Sequence, residues 1–294
     1  MIKKKKRISG FDITNNIIFI ILSFISLFPI YLIIANAFSS EADIQALGYA
    51  VYPLHFTFSA FKFIFKDPSQ LLYSTGTTLI YSIGKTFFTT LVSAMLGYAL
   101  SRKEFIFKKF INVLLLITMF FQAGLIPSYI INTQVYHLDN TWWIYLLPTA
   151  ISGFNIFLYR SFFNQVPQSV IESAEIDGAS HMKILFKISL PLTSTLIATN
   201  FFLNMRGLWS DFTTTLYYIS DPKMYTLEYY IQLISKDAEM MKENLMAMGM
   251  KATEIPTESM KFALVFLTLI PLLVVFPFFQ RYFKKGLTVG AVKG

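Results

Sequence analysis

The chain has no cysteine, only three histidines, and only 14% charged side chains among 294 residues. Without cysteine there can be no disulfide, thiolate metal site or cysteine nucleophile. His55, His137 and His181 are far apart in sequence, which argues against zinc catalysis. Soluble chains carry roughly 25% charged residues, so the shortage here excludes an ordinary soluble domain. In place of charge the chain is 54% hydrophobic and 17% aromatic, with a mean hydropathy of +0.54. That is more apolar surface than its own core can hide, and the remaining solvent is lipid. The composition therefore predicts an all-α integral membrane protein.

A spanning helix needs about 20 mostly apolar residues. Six runs qualify, at 17–38, 77–99, 110–131, 142–159, 191–210 and 262–280. An even number puts both termini on one side. Sixteen of the 25 Lys and Arg residues fall on that side, including Lys3–Lys6 with Arg7, the short loop Arg102–Lys109, and Arg281, Lys284, Lys285 and Lys293. The positive-inside rule then makes both termini cytoplasmic. The net charge of +8 is thus a topology signal, and nucleic acid is not an expected partner. The chain divides into a basic N-terminal segment 1–16, a six-span body 17–280 and a tail 281–294, with external segments 39–76 and 211–261. A cleaved leader would need a shorter apolar core of roughly 7–15 residues, so Ala35-Asn36-Ala37 is read as part of a retained span. Tyr225–Met250 mixes charge with apolar residues and suits a surface helix.

The cytoplasmic segment 164–190 carries start and stop signals. Pro167 suits a first helical position, and Gly178 suits the left-handed residue that ends a helix. Between them Val170, Ile171 and Ala174 form an apolar face, with Glu172 and Glu175 on another. A helix of about ten residues is marginal alone in water, so it should dock on something. Ser180 can cap a second helix through Lys187, and Leu190-Pro191 opens the fifth span. By chemistry alone this is a surface helix packed on the chain's own membrane body.

These residues also resemble the EAA loop of permease subunits of binding-protein-dependent ABC importers. The match consists of Glu172-Ser173-Ala174, Asp177-Gly178-Ala179 and Ile188-Ser189-Leu190-Pro191, with Ser173 departing from the usual alanine. Ala99-Leu100-Ser101-Arg102, Asn140-Thr141-Trp142, Trp209-Ser210-Asp211-Phe212 and the tail from Gln280 are similar to the carbohydrate importers of the maltose type. Thr118 to Pro127 is similar to their LplC-like branch, associated with oligosaccharides and polysaccharides. The resemblance implies a partner permease, two cytoplasmic ATPase subunits and an extracellular solute-binding protein, in a multi-pass protein of the cell membrane. It assigns ATPase coupling to Glu172, Ser173, Ala174, Asp177, Gly178 and Ala179. ATP and magnesium would belong to the ATPase, and this chain would hold no cofactor or metal. Gly84-Lys85-Thr86 imitates the end of a P-loop, but Leu79 stands where the earlier glycine is required.

A glycan path needs hydrogen-bonding side chains and flat apolar surfaces. Candidates are Lys85, Tyr129, Asn155, Asn200, Asn204, Trp209, Asp211 and Tyr217, while Trp142, Trp143, Tyr217 and Tyr218 also suit interfacial belts. A cation at helix centre costs about 2.5–3.5 kcal/mol on insertion scales. Lys85 therefore expects backbone carbonyls, the partner permease or an acidic glycan as its counterpart, whereas Arg206 is near enough to a span end to snorkel. A secondary carrier or a membrane enzyme would need intramembrane or clustered acids, and none lies within the six runs. A permease for a non-sugar solute remains the alternative within the same class.

Overall fold

Backbone groups in lipid must be satisfied within their own segment, so the chain is built from helices. The computed structural model describes residues 10–249 and 255–291. Lys3–Lys6, Arg7, Lys251 and Lys293 lie outside the described residues. In chain order the helices are α1 (Gly10–Ala37), α2 (Glu41–Leu47), α3 (Ser59–Ile64), α4 (Pro68–Ser101) and α5 (Lys108–Phe120). They continue as α6 (Leu125–Ile130), α7 (Trp143–Leu146), α8 (Gly153–Phe163), α9 (Gln168–Ile176), α10 (His181–Ile184) and α11 (Leu190–Leu192). The last four are α12 (Ser194–Trp209), α13 (Thr213–Tyr218), α14 (Leu227–Ala247) and α15 (Thr257–Ala291). The described residues contain no β-strand.

Among the described residues, three helices are unbroken and apolar enough to cross a membrane: α1, α4 and α15. The expected third and fifth runs are each bent, by 115° between Phe120 and Leu125 and by 82° at Thr193. The first bend follows Phe121, whose backbone is extended, and Gly124 at φ 83°. The second follows a π-helical turn, Leu185–Ser189, and Pro191, whose missing N–H interrupts the ladder. The fourth run, 142–159, is not one helix. It breaks between α7 and α8, where Pro148 is followed by Thr149 at φ 59°. Apolar composition predicted these runs correctly as apolar, but helix continuity depends on single Gly, Pro and positive-φ positions.

The chain folds as two units, Met1–Pro68 with Ile231–Ile270 and Ser69–Tyr230 with Pro271–Gly294. In the first, the end of α1 is tied down by Asn36, which is fully buried. Its amide donates to the Leu32 and Ala50 carbonyls and accepts from the Ala50 N–H. The Ala35-Asn36-Ala37 triplet is therefore buried helix. Phe38 stacks on Phe56 at 5.1 Å and on Phe61 at 4.8 Å. Glu41, only 4% exposed, accepts from the Thr257 and Ser259 hydroxyls and from the N–H groups of Glu258 and Ser259. It thus caps the first turn of α15 from a distant helix.

In the second unit, α4 is polar inside and apolar outside. Its buried positions include Ser74, Thr77, Thr78, Tyr81, Ser82, Lys85, Thr86, Thr89 and Ser93, which recur every three or four residues, while Ile80, Ile83 and Phe87 are exposed. A lipid-facing helix must show its apolar side outward and keep polar groups among protein neighbours. Gly97 lets α4 touch α8, because a Cβ there would lie 2.8 Å from Tyr159 Cβ and 2.9 Å from the Arg160 backbone nitrogen. Gly153 does the same for α8 against Met119 and the Leu115 carbonyl.

Candidate functional site

Two places in the second unit collect the predicted residues, an open cavity and an exposed helix. The cavity is open, with a volume of about 1210 Å³. Its wall includes Lys85 and Thr89 from α4, Gln122 and Ser128 around the first bend, Ser152 and Asn155 at the start of α8, and Asn204 from α12. The breaks in the third and fourth runs therefore bring polar groups to one wall; irregular backbone within a membrane protein is tolerated where it lines a cavity.

Asn155, Asn200 and Asn204 form one chain of side-chain amides. Asn155 donates to Asn204 at 3.3 Å, Asn200 donates to Asn155 at 3.3 Å, and Asn204 donates to Asn200 at 3.0 Å. Asn155 and Asn204 reach the cavity wall, and Asn200 supports them from behind. Lys85 is 7% exposed. Its ammonium sits 5.5 Å from the Tyr81 ring centre. Gly84-Lys85-Thr86 is in the middle of α4 and offers no loop to cradle a phosphate.

The other path candidates lie elsewhere. Asp211 is fully engaged: Tyr81 and Thr214 hydroxyls donate to Oδ2 at 2.6 Å each, and the Thr213 hydroxyl and N–H donate to Oδ1 at 2.7 and 2.9 Å. It pins α4 to the start of α13. Trp209 is buried at 4% exposure and does not line the cavity. Tyr129 stacks on Tyr218 at 5.6 Å, and Tyr217 packs edge-on against Tyr218. Gln122, Ser128, Ser152, Thr86 and Thr89 were missed by sequence reasoning. The polar stripe of α4 was a readable signal for the threonines. Gln122, Ser128 and Ser152 join only through the bends, which no periodicity shows.

The exposed helix is α9. Pro167 is its N-cap, at φ −57° and ψ 130°, one position earlier than expected. Gly178 has φ 76°. The Ala179 N–H bonds the Ala174 carbonyl at 2.9 Å and the Gly178 N–H bonds Glu175 at 3.0 Å, the paired pattern that closes a helix on a left-handed residue. A Cβ on Gly178 would meet nothing within 4 Å, so its backbone angle, not lack of space, calls for glycine. Ile171 and Ala174 pack into a core with Ala94, Tyr98, Tyr159, Phe163 and Leu185. Glu172, Ser173, Glu175, Asp177 and Gly178 remain exposed, and Ile176 is 86% exposed. The Ser173 hydroxyl bonds the Ser169 carbonyl at 2.8 Å, so the departure from alanine is absorbed within the helix. Ser180 caps α10 through the Lys183 N–H.

Comparison with known proteins covers nearly the whole chain. Protein LplC of Bacillus subtilis (strain 168) is 30% identical over 97% of this chain and 95% of its own length. The polygalacturonan/rhamnogalacturonan transport system permease protein YtcP of the same organism is 31% identical, covering 92% of this chain and 93% of its own. The arabinooligosaccharides transport system permease protein AraQ of Halalkalibacterium halodurans is 27% identical, covering 94% of each. A crystal structure of a bacterial ABC transporter involved in the import of the acidic polysaccharide alginate matches in fold, with a TM-score of 0.78 and 24% identity over 96% of this chain and 100% of that one. Residues 8–289 match the model of the binding-protein-dependent transport system inner membrane component. With several apolar helices and this near full-length match, the chain belongs to that family of multi-pass membrane permeases.

Proposed function

We propose that this chain is the permease subunit of an ABC importer that carries oligosaccharides or polysaccharide fragments, driven by ATP hydrolysis on separate ATPase subunits docked at α9. The observation that carries this reading is the two-sided construction of α9. Its apolar face is held by α4 and α8, while Glu172, Glu175, Ile176 and Asp177 are left outward. A helix fixed on one face and open on the other transmits a push as a rigid lever. The names of YtcP and AraQ support a glycan cargo, and the uncharged amides of the cavity suit sugar hydroxyls. A second permease and an extracellular binding protein complete the assembly.

In the same reading all six apolar runs cross the membrane, the fourth, 142–159, as a broken span, and both termini are cytoplasmic. The distribution of Lys and Arg supports that orientation. The test is transport by the complete importer with Glu172→Lys or Gly178→Val. The first reverses an exposed charge and the second strains a left-handed turn. Uptake should fall by more than tenfold with membrane abundance within about twofold of the parent, a split that corresponds to at least 1.4 kcal/mol of lost coupling. Normal uptake by both variants would reduce α9 to a loop helix and reject the docking.

A further inference from the structure

We propose that Lys85 reads the charge of the cargo, by ion-pairing one uronate carboxylate of the glycan inside the cavity; this rests on the glycan-import reading above. Lys85 is the one ionisable residue in the described cavity wall. It has three N–H donors. Among the described residues it takes part in no ion pair, the pairs being His55 with Asp43, Lys242 with Glu41, and Lys261 with Glu239 and Glu258. Its nearest defined partner is the Tyr81 ring face, which attracts a cation without accepting its hydrogen bonds. Asp211, the acid closest to this site, spends both oxygens on hydroxyls and backbone N–H groups. Beside Lys85 the Thr86 hydroxyl is buried with no hydrogen-bond partner.

A buried cation held for structure is expected to be paired or bonded on all its donors. Lys85 is instead nine-tenths buried, in no ion pair among the described residues, with the Asp211 carboxylate acting on it only at longer range, and part of a cavity wall. One ammonium pairs with one carboxylate, the anionic group that an acidic sugar ring itself carries. The other polar groups here, Gln122, Ser128, Ser152, Asn155 and Asn204, are uncharged and suit ring hydroxyls. Together they describe an acidic sugar.

The test uses the complete importer, purified with its partner chains and binding protein and placed in proteoliposomes. Trigalacturonate and its methyl ester, which has the same ring skeleton without the charges, are the probes. Lys85→Met should lower uptake of trigalacturonate at least tenfold, Lys85→Arg should keep it within about threefold, and ATP hydrolysis and membrane abundance should match the parent. Carriage of the methyl ester should be unchanged in Lys85→Met. Undiminished trigalacturonate uptake by Lys85→Met, or an equal fall for both probes, overturns the charge reading and leaves glycan import standing. A parent importer that carries only the ester also overturns it. A parent that carries neither overturns this inference, while failure to carry neutral oligosaccharides as well is what would overturn the glycan reading.

Discussion

Glu41 and Lys85 are both charges withdrawn from water, at 4% and 7% exposure, yet their surroundings are opposite. Glu41 accepts hydrogen bonds from Gln45, Thr257, Glu258 and Ser259, with the Lys242 ammonium at 3.5 Å. Lys85 has an aromatic face and an open cavity. The first arrangement is what a buried charge needs to hold a fold together, and the second keeps its interaction energy available for something that arrives later. Buried charge is therefore not one category in this protein; the number of matched partners separates a structural tie from a binding group.

The sharpest way to break the contrast is Glu41→Leu. It leaves two N–H groups and two hydroxyls around α15 without an acceptor, and removing one partner of a buried charged network costs about 3–5 kcal/mol. Thermal unfolding in detergent should drop accordingly, and unchanged melting would remove Glu41 as a tie. Asp211→Asn should cost less, about 1.5–3 kcal/mol, because one acceptor oxygen survives. Lys242→Met removes one of several partners of Glu41 from a pair whose side chains are only 18% and 4% exposed, and should cost about 1.5–3 kcal/mol, as for other bonds to a buried charge. Lys85→Met should cost nothing, or raise the melting temperature, since it deletes an unmatched cation. A loss above about 2 kcal/mol, on the scale of a broken buried hydrogen-bonded charge, would make Lys85 structural and erase the difference.

Acidity offers another way to sharpen it. Burial pushes the Glu41 carboxyl up, but hydrogen bonds from Gln45, Ser259, Glu258 and Thr257 outweigh it and hold the group below its ordinary 4.5. A carboxyl lowered on folding contributes stability that is complete above 4.5 and is lost as pH falls through the lower, folded value. Melting of the parent should therefore weaken in that acid range, and Glu41→Gln should melt lower at neutral pH while losing much of the acid dependence. A parallel acid response in both would place the sensitivity elsewhere.

The apolar runs, the α9 helix with its glycine stop, the Ser180 cap and α14 could all be read from composition, periodicity and end signals, because each depends on residues within one or two turns. Glu41 could not. It lies outside every run, and apart from Gln45 its partners are more than 200 positions away. The path candidates divide the same way. Asn155 and Asn204 were visible as polar residues in apolar runs, but which of them meets a cavity depends on where the third and fourth runs bend. Asp211, polar and beside a span, reads like a cargo contact until its hydroxyl partners are seen.

Low charge, high hydropathy and the placement of lysine decide that this chain lives in lipid as helices, because the cost of a bare polar backbone or a misplaced cation is paid locally and leaves no other solution. Which helices break, which carboxylate is saturated and which ammonium is left facing space are settled only by packing. Those outcomes depend on groups far apart in the chain, meeting at positive-φ and proline positions whose local signal does not say what they will bring together.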